Sequence, residues 1–316
     1  MGQPRPQDDP IVAEQAAEEP NVPAVCYFGT YRASYSRNRI MIEGLRRSGV
    51  RVIECHQPLW HGVEDRIATV HRGWLKPAFW KRVITTYWQL LRRYRALQGQ
   101  YDVMVVGYPG QFDIFLARLL TWRRGKPLVW DVFMSIYLIA KERQLDQQNR
   151  FTVNMLRLVE WFALRVPDML VQDTAEYVQW FHRTYGLAPA RFRLVPTGAD
   201  SRRYFPDPTV PVGQVTPGNG PFTVIYYGTF IANHGLDYLM QAAGLLQSYH
   251  DIRFVLVGDG PDKQRIQQQV HDAGMTNVIF QGWMEPDQLQ TRIAAADVVL
   301  GAFGGTPQSL MTVQNK

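Results

Sequence analysis

The chain has 316 residues, of which 46% are hydrophobic and 20% are charged, a composition typical of a globular protein long enough for two domains. It contains no run of about 18 apolar residues, so the sequence predicts no membrane-spanning helix. The net charge of +6 is unevenly placed, because residues 21–205 carry 28 Lys and Arg against 14 Asp and Glu, whereas residues 206–316 carry 5 against 9. The basic part should attract an anionic surface or acceptor. Nucleic acid is not expected as a partner, since no helix-turn-helix, zinc or RNA-stacking signature appears.

The first 20 residues, Met1–Pro20, are rich in proline and acidic side chains and lack the apolar segment of a signal peptide. We expect a disordered tail and a cytoplasmic protein. Cys26 and Cys55 fall on the first two predicted strands, where buried thiols in a reducing compartment are expected. No spacing typical of metal ligands occurs, so we expect neither a metal nor a bound cofactor.

From residue 21 to residue 205, apolar runs alternate with helical patterns. The predicted strands are Ala24–Phe28, Val50–Glu54, Tyr101–Val106, Pro127–Trp130, Met169–Val171 and Phe192–Val195. The predicted helices are Asn38–Ser48, Lys76–Gln98, Gln111–Trp122, Arg150–Arg165 and Thr174–Tyr185. Strands that alternate with helices indicate a parallel sheet with right-handed crossovers, so this part reads as one Rossmann-like domain.

Residues 206–221 hold five prolines and three glycines, which is the composition of a linker. The alternation then resumes over residues 222–316. Its predicted strands are Phe222–Tyr227, Phe254–Val257, Asn277–Gln281 and Val298–Phe303, and a helix opens at His234-Gly235. The expected fold class is therefore α/β, with two Rossmann-like domains on either side of a cleft.

Glycines follow three successive strands of the second part, in Gly228-Thr229-Phe230, Gly258-Asp259-Gly260-Pro261 and Gly282-Trp283. The carboxyl ends of parallel strands are where an open α/β sheet binds its ligand. Backbone amides at the helix starts that follow can hold phosphate. The pattern predicts a small ligand that carries phosphate.

These motifs, followed by Ala296-Asp297-Val298-Val299-Leu300, resemble the donor-binding half of retaining GT-B glycosyltransferases of the group 1, or family 4, type. Residues 195–200 and 204–206 resemble the link between the two halves of that family. The resemblance covers most of residues 22–316. It implies transfer of a sugar from a nucleoside diphosphate sugar to a hydroxyl acceptor, with retention of anomeric configuration and no required metal.

The sequence departs from the family at two places. Thr229 and His234 stand where the family has Arg or Lys and then Lys. A Glu-x7-Glu element should also begin near Met311, and its second Glu, which binds ribose in relatives, is absent before the chain ends at Lys316. We therefore expect a donor domain truncated at its carboxyl end, with no helix covering Val298–Phe303.

The resemblance implies a set of donor-binding residues, with His234 at the diphosphate as a catalytic candidate. The set is Gly228, Thr229, Phe230, Asn233, His234, Gly258, Gly260, Trp283, Met284 and Lys316. His234 would lie at a helix start, where a bound diphosphate raises its pKa; the alternative is an ordinary turn histidine. Trp283 would lie beside the base, or else pack in the core or cleft.

On the acceptor side, Gly29-Thr30 ends the first strand, and Arg37 lies near the following helix start. Arg37 either contacts phosphate or acceptor, or is simply solvated. Asp131 follows a strand and is the second catalytic candidate, on the sugar side, with Ser135 four residues on. The alternative for Asp131 is a helix cap or turn aspartate.

The segment Lys76–Gln98 combines aromatic and basic residues without any acid. Trp80, Ile84, Tyr87, Leu91 and Tyr94 recur at helical spacing, flanked by Lys81, Arg82, Arg92, Arg93 and Arg95. Such a helix can lie on an anionic bilayer, which would place the protein at the inner face of the membrane beside a lipid-linked or cell-envelope glycan acceptor. The alternative is a core-packed helix with a solvated basic face.

Two other functions stay open from the sequence. A nucleotide-sugar epimerase shares the two-domain plan. A non-catalytic membrane or polysaccharide-assembly partner is the third possibility, because basic family residues are missing at Thr229 and His234.

Overall fold

The computed structural model describes residues 22–59, 76–97, 99–202, 204–205 and 220–313. The predicted tail Met1–Pro20, most of the predicted linker and the donor-binding candidate Lys316 lie outside the described residues.

The first sheet has six parallel strands in the order β2-β1-β3-β4-β5-β6. They are β1 (Ala24–Gly29), β2 (Arg51–His56), β3 (Val103–Val106), β4 (Leu128–Asp131), β5 (Met169–Gln172) and β6 (Phe192–Leu194). All six were predicted from their apolar residues. The interior strands are buried on both faces, as in most parallel sheets, whereas the edge strands β2 and β6 also carry exposed residues such as Arg51, Glu54 and Arg193. Cys26 and Cys55 are buried free thiols, as expected.

Seven helices accompany this sheet among the described residues. They are α1 (Ser36–Arg47), α2 (Pro77–Ala96), α3 (Asp113–Trp122), α4 (Ile136–Glu142), α5 (Leu145–Gln148), α6 (Arg150–Ala163) and α7 (Ala175–Tyr185). Helices α4 and α5 were not predicted. The other five agree with the predicted helices to within a few residues.

The side chains of each strand point alternately to two faces of the sheet. Tyr27 packs with Ile42 of α1 on one face. Phe28 packs on the other face, in a core that also contains residues from α2, α3, α6 and α7. This is the arrangement that right-handed crossovers impose, because only α1 connects strands in the opposite direction along the sheet.

The second sheet has four parallel strands in the order β10-β7-β8-β9. They are β7 (Phe222–Tyr227), β8 (Ile252–Val257), β9 (Val278–Gln281) and β10 (Val298–Leu300). Helices α8 (Leu236–Leu245), α9 (Lys263–Asp272), α10 (Pro286–Ala294) and α11 (Pro307–Met311) connect or follow them.

The helix predicted to open at His234-Gly235 is α8, which begins at Leu236, and a 3-10 turn, Ala232–His234, precedes it because Gly235 has a φ of +68° that interrupts the helix. The last predicted strand ends at Leu300 rather than at Phe303, and the short helix α11 follows it. Val298 and Val299 stay 37% and 39% exposed, in agreement with the expectation that no helix covers this strand.

Helix α11 contacts elements of both halves. The Gln308 backbone N–H donates to Glu142 Oε1 at 2.7 Å, and the Thr174 hydroxyl donates to the Met311 carbonyl oxygen at 2.6 Å. On the other side, the Ser309 hydroxyl donates to the Asn233 carbonyl oxygen. Since Thr174 follows β5 and Asn233 follows β7, the carboxyl edges of the two sheets meet at this helix.

Candidate functional site

The candidate site lies where the carboxyl edges of the two sheets meet. In each sheet the strand order reverses beside the first strand, between β1 and β3 in one and between β7 and β10 in the other. A reversal of strand order opens a crevice at the carboxyl edge, where α/β sheets bind ligands. The predicted loops Gly29-Thr30 and Gly228-Thr229 end β1 and β7, so each lies at such a crevice.

In the second half, the turns after β7 and β8 touch backbone to backbone. Gly228 and Gly258 have φ angles of +149° and +138°, which side-chain-bearing residues rarely adopt. A Cβ on Gly258 would lie 2.0 Å from the Gly228 carbonyl oxygen, and one on Gly260 would lie 2.5 Å from the Phe230 carbonyl oxygen. We call this contact the glycine junction (Gly228, Gly258 and Gly260). The N–H groups of Gly228 and Gly258 donate to the Val257 and Gln281 carbonyl oxygens, and that of Gly260 donates to Asp259 Oδ1, so the junction is held by backbone hydrogen bonds as well as by close packing.

Phe230, predicted among the donor-binding residues, is fully buried, with its ring packed against the ring of Tyr226. Its N–H donates to the Asp259 carbonyl oxygen, and its own carbonyl oxygen accepts from the Asp262 N–H. The side chain of Phe230 is therefore not available to a ligand, which corrects the prediction. Phe230 instead supports the glycine junction through these backbone hydrogen bonds.

His234 is half-buried, and its Nδ1 lies 2.7 Å from the Tyr226 hydroxyl oxygen. Burial raises the pKa of Tyr226, so the hydroxyl keeps its proton. The same hydroxyl lies 3.2 Å from the Thr229 carbonyl oxygen. The imidazole of His234 and the Tyr226 hydroxyl are therefore fixed against each other beside the Thr229 carbonyl oxygen. The contact of His234 with a diphosphate stays a prediction.

Lys263 is a cation that the sequence reasoning missed. It begins α9, and its ammonium group donates to the Gly258 carbonyl oxygen at 3.1 Å, with the carboxylate of Asp259 at 3.6 Å. Its side chain is 20% exposed. The sequence could have indicated it, because a lysine stands two residues after the Gly-Asp-Gly-Pro turn. It places a positive charge directly at the glycine junction.

The remaining donor-side candidates lie around this junction. Trp283 follows β9 and is 73% exposed, so its ring is open to a ligand rather than packed in the core. Met284 is half-buried beside it in the chain. Asn233 uses its carbonyl oxygen to accept from Ser309, and Thr229 is exposed.

In the first half, the loop Gly29-Thr30 is held by a buried carboxylate. Asp113 Oδ2 accepts from the Thr30 N–H at 2.7 Å and from the Thr30 hydroxyl at 3.0 Å, while Oδ1 accepts from the Tyr87 hydroxyl at 2.7 Å. A Cβ on Gly29 would lie 2.7 Å from Asp113 Oδ2. Burial raises the pKa of Asp113, and the hydrogen bonds oppose that effect.

Arg37 and Asp131, two separate candidates in the sequence, form one buried ion pair. Arg37 Nε and Nη2 donate to the two carboxylate oxygens at 2.9 and 3.0 Å, and Nη1 donates to the Val195 carbonyl oxygen at 3.0 Å. Arg37 is 3% exposed and Asp131 is fully buried. This corrects the view of Arg37 as solvated or free for phosphate. Both carboxylate oxygens of Asp131 accept hydrogen bonds from Arg37. Contact of Asp131 with a sugar remains a prediction.

The electrostatics of this pair favour a permanently charged guanidinium. Burial lowers the pKa of Arg37, but the adjacent Asp131 charge and its hydrogen bonds outweigh burial and raise it overall. Burial raises the pKa of the Asp131 carboxyl, and Arg37 opposes that effect. Phe133, with the uncommon φ of +54°, lies under the guanidinium at 5.3 Å. Such backbone outliers concentrate at functional sites.

Ser135, predicted to face the acceptor, is fully buried and caps α4 by accepting from the Leu138 N–H. Its hydroxyl donates to Glu160 at 2.5 Å, and the same carboxylate accepts from the Tyr185 hydroxyl at 2.6 Å. The prediction is corrected, because Ser135 anchors α4 to α6 and offers no group to the crevice.

Asp173 is the second residue that sequence reasoning missed. It follows β5, is 5% exposed, and its Oδ1 has no hydrogen-bond partner among the described residues. Oδ2 accepts from the Thr197 hydroxyl at 3.3 Å. Burial raises the pKa of Asp173 to about 6, although the charge of Arg37 opposes that rise. An acidic residue immediately after a predicted strand was the same signal that selected Asp131.

The edge of the first sheet thus holds one arginine, Arg37, and three carboxylates, Asp113, Asp131 and Asp173, all buried. Among residues 22–59, 76–97, 99–202, 204–205 and 220–313, no cluster of three His, Cys, Asp or Glu side chains has the geometry to hold a metal ion.

Comparison with known proteins gives this arrangement a family. Residues 16–203 match the family described as Glycosyltransferase Family 4, and residues 213–302 match Glycosyl transferases group 1. The 2-deoxystreptamine glucosyltransferase of Streptomyces kanamyceticus is 25% identical over 259 residues, which cover 79% of this chain and 64% of that protein. The chain therefore spans 64% of the length of the curated relative that it matches.

Solved structures show the same fold at low identity. Sucrose-phosphate synthase of Thermosynechococcus elongatus has a TM-score of 0.58 and 15% identity, with 90% of this chain and 77% of that chain covered. HepE of Anabaena, in complex with UDP, has a TM-score of 0.54 and 14% identity, with 88% and 73% covered. These similarities confirm the predicted GT-B fold.

Proposed function

This chain belongs to the group 1, family 4 glycosyltransferases, and we propose that it transfers a hexose from a nucleoside diphosphate sugar to a hydroxyl acceptor with retention of anomeric configuration. Residues at the edge of the second sheet would bind the donor, and residues at the edge of the first sheet would bind the acceptor and the sugar. The domain limits of this proposal are residues 21–205 and 222–316, joined by the linker 206–221.

The observation that supports the proposal most strongly is the glycine junction at the crevice beside β7. Glycine at Gly258 and Gly260 lets the turns after β7 and β8 pack directly against each other at the crevice, with the ammonium group of Lys263 beside them. A positive charge and the start of helix α9 favour an anion there without a metal. HepE, which shares the fold, is solved with UDP. We therefore place the diphosphate of the donor at this junction.

Charge on the leaving diphosphate needs stabilisation in the transition state. In our proposal His234 and Lys263 supply it in place of the basic residues that the family has at Thr229 and His234. The exposed ring of Trp283 would lie beside the base, with Met284 next to it. No metal is required by this scheme.

On the first sheet, we propose that Asp173 binds a sugar or acceptor hydroxyl through its unpartnered oxygen. The pair of Arg37 and Asp131 would then be a positioning element, because it fixes the edge of β4 against the segment that follows β6. The acceptor would be a lipid-linked or cell-envelope glycan, with the protein at the inner face of the membrane.

The test is nucleotide-dependent stabilisation followed by transfer. We expect one of UDP, GDP or ADP to raise the melting temperature, and the corresponding diphosphate sugar to support transfer, since a ligand that binds only the folded state stabilises it. His234→Ala should weaken nucleotide binding about tenfold, the cost of roughly one charged hydrogen bond. His234→Lys, the residue of the family, should largely restore it.

His271→Ala is the matched control, because that histidine is 84% exposed on α9 and outside the site. Stabilisation by no nucleotide at any concentration would overturn the proposal and favour a non-catalytic partner. Formation of the donor's epimer without acceptor would favour an epimerase of the same fold.

A further inference from the structure

The outer surfaces of three neighbouring helices expose an unusual number of large apolar side chains. Of the 26 exposed large hydrophobic residues in the described part of the chain, twelve lie on or at the start of α2, α3 and α6. They are Trp80, Ile84, Trp88, Phe112, Phe115, Leu119, Trp122, Phe151, Met155, Leu158, Trp161 and Phe162. We call this set the aromatic face.

The three helices cover the same side of the first sheet. Leu90 of α2, Ile114 of α3 and Ala163 of α6 all belong to the one core that packs against that side. Their opposite surfaces therefore point in the same general direction, away from the sheet. On each helix the exposed apolar residues recur at spacings of three and four, so they form stripes rather than scattered positions.

The stripes are large for a chain without a partner. The exposed fractions run from 38% for Trp161 to 75% for Trp122. Side chains of this size expose on the order of 1,000 Å² together when half of each is accessible. The largest apolar patch on a typical monomer is about 300–600 Å². A surface of this kind has an apolar occupant.

The charges on these helices identify that occupant. The only acids on α2, α3 and α6 are Asp113 and Glu160, and both are buried within hydrogen bonds described above. The same helices carry eight Lys and Arg residues. Lys81, Arg92 and Arg95 are exposed on α2, and the guanidinium of Arg92 lies 5.7 Å from the ring centre of Trp88.

Aromatic rings with cations and no acid are the composition of surfaces that lie in a lipid headgroup layer. Rings enter the boundary of the acyl chains, and arginine and lysine stems extend back toward lipid phosphates. A protein partner would require matching acids on its own surface, and a second copy of this chain would bring like charges together.

We propose that the aromatic face docks this protein on an anionic lipid bilayer. The occupant is the bilayer surface, not its interior, since no helix in the described part of the chain is both long enough and apolar enough to cross a membrane. The proposal extends the peripheral location proposed above, and it does not depend on sugar transfer.

The sequence expectation for α2 is also revised by this surface. The predicted apolar stripe included Trp80 and Ile84, but these are 51% and 67% exposed. The buried residues of α2 are instead Thr86, Leu90 and Tyr94. The helix therefore packs on the core through its second half, while its first half presents aromatic residues outward.

The experiment is cosedimentation of the full chain with vesicles of phosphatidylcholine alone and with about one third phosphatidylglycerol. We expect binding only to the anionic vesicles, weakened by high salt because screening shortens electrostatic attraction. The variant Trp88→Gln, Phe115→Gln, Phe151→Gln, with one ring removed from each helix, should lose at least tenfold in vesicle affinity.

The matched control removes three exposed apolar residues from α8 and its flank, as Tyr238→Gln, Leu245→Gln, Tyr249→Gln, and should bind like the unmodified chain. A second variant, Lys81→Gln, Arg92→Gln, Arg95→Gln, should lose the preference for anionic lipid. Melting temperature checks that each variant is folded.

Three outcomes would overturn the proposal. They are no vesicle binding by the unmodified chain, equal loss in the aromatic variant and its control, or a dimer that the aromatic variant converts to a monomer. Nucleotide stabilisation is measured on the same samples. Its presence without vesicle binding rejects the docking surface alone, and its absence with vesicle binding rejects the proposed function alone.

Discussion

The two sheet edges that face each other across the candidate site are built in opposite ways. The edge of the first sheet is held by buried charge, with Asp113 on the Gly29-Thr30 loop and Arg37 on Asp131. The edge of the second sheet is held by backbone contact between glycines. Both edges lie at a reversal of strand order. The same topology is therefore stabilised by ion pairs and hydrogen bonds in one sheet and by backbone packing in the other.

The difference follows from what each edge would have to recognise. A diphosphate is anionic whatever sugar it carries, and a helix start with one or two cations binds it well. Hydroxyl groups of a sugar or acceptor are neutral and directional, so they need fixed acceptors and donors. Buried charged side chains supply these, but each must be held by partners to offset its desolvation.

The largest expected effect is a loss of stability at the glycine junction of the second sheet. Gly258→Ala should destabilise the protein by about 4 kcal/mol, because the new Cβ adds an unfavourable backbone conformation to a clash with the Gly228 carbonyl oxygen. Urea denaturation measures the loss, and nucleotide stabilisation should disappear with it. Gly301→Ala is the control, since a Cβ there meets nothing within 4 Å. Equal effects of the two substitutions would show that backbone contact does not hold this edge.

The next-largest loss of stability is expected at the carboxyl edge of the first sheet, where charged side chains are buried. Arg37→Met should cost about 3 kcal/mol near pH 8, because it leaves the Asp131 carboxylate buried and unpaired. Without Arg37, the pKa of Asp131 in the folded protein rises further above that of the unfolded chain. Stability of the variant therefore falls as pH rises through that value, so the loss should shrink toward pH 5. Denaturation at the two pH values measures it.

Arg46→Met is the comparison for that prediction, because Arg46 and Glu54 form an ion pair whose side chains are 46% and 28% exposed. Such pairs contribute at most about 1 kcal/mol. A loss for Arg37→Met as small as that of the surface pair, or one independent of pH, would contradict the account of the buried pair.

The smallest expected effect is a gain in stability, at Asp173. The pKa of Asp173 is about 6 in the folded protein, above the roughly 3.9 of an unfolded aspartate. The folded state therefore loses stability as pH rises from about 4 through 6, and the loss is complete above that range. Asp173→Asn should remove it, which raises the free energy of unfolding by about 2 kcal/mol at pH 8 and by little at pH 4.

Thermal melts at the two pH values check this, with the exposed Asp251→Asn as control. We also expect Asp173→Asn to lower kcat/KM for transfer, since stability gained at a functional carboxylate commonly costs activity. A variant that is no more stable at pH 8 than at pH 4, relative to the unmodified chain, would contradict the raised pKa.

Much of the fold was predictable because its signals are local. Most of the ten strands in the described part of the chain are short apolar runs, and the glycines after β7 and β8 mark the carboxyl ends of those two strands. Helices α4 and α5 were missed because they have seven and four residues, which is too short for a helical period to show. The turn at Ala232–His234 was missed because Gly235 acts as a break rather than as a helical residue.

The candidate site was less predictable because its contacts are not local. Arg37 and Asp131 are 94 residues apart, and no local feature of the sequence predicts that they form an ion pair. The buried carboxylates of Asp113 and Glu160 read as ordinary surface acids on amphipathic helices. Asp173 and Lys263 did carry local signals, and they were reachable from the same strand-end reasoning that selected Asp131 and His234.

Helix α11 has a consequence for how the two edges communicate. Its residues form hydrogen bonds with Glu142 and Thr174 on one side and with Asn233 on the other, so the 3-10 turn that holds His234, the end of α4 and the start of α7 share one support. A ligand that alters the position of that turn changes the free energy of the far contacts as well. If donor and acceptor bind at the two edges as proposed, the effect is reciprocal by linkage, and occupancy of either edge changes the affinity of the other by the same factor.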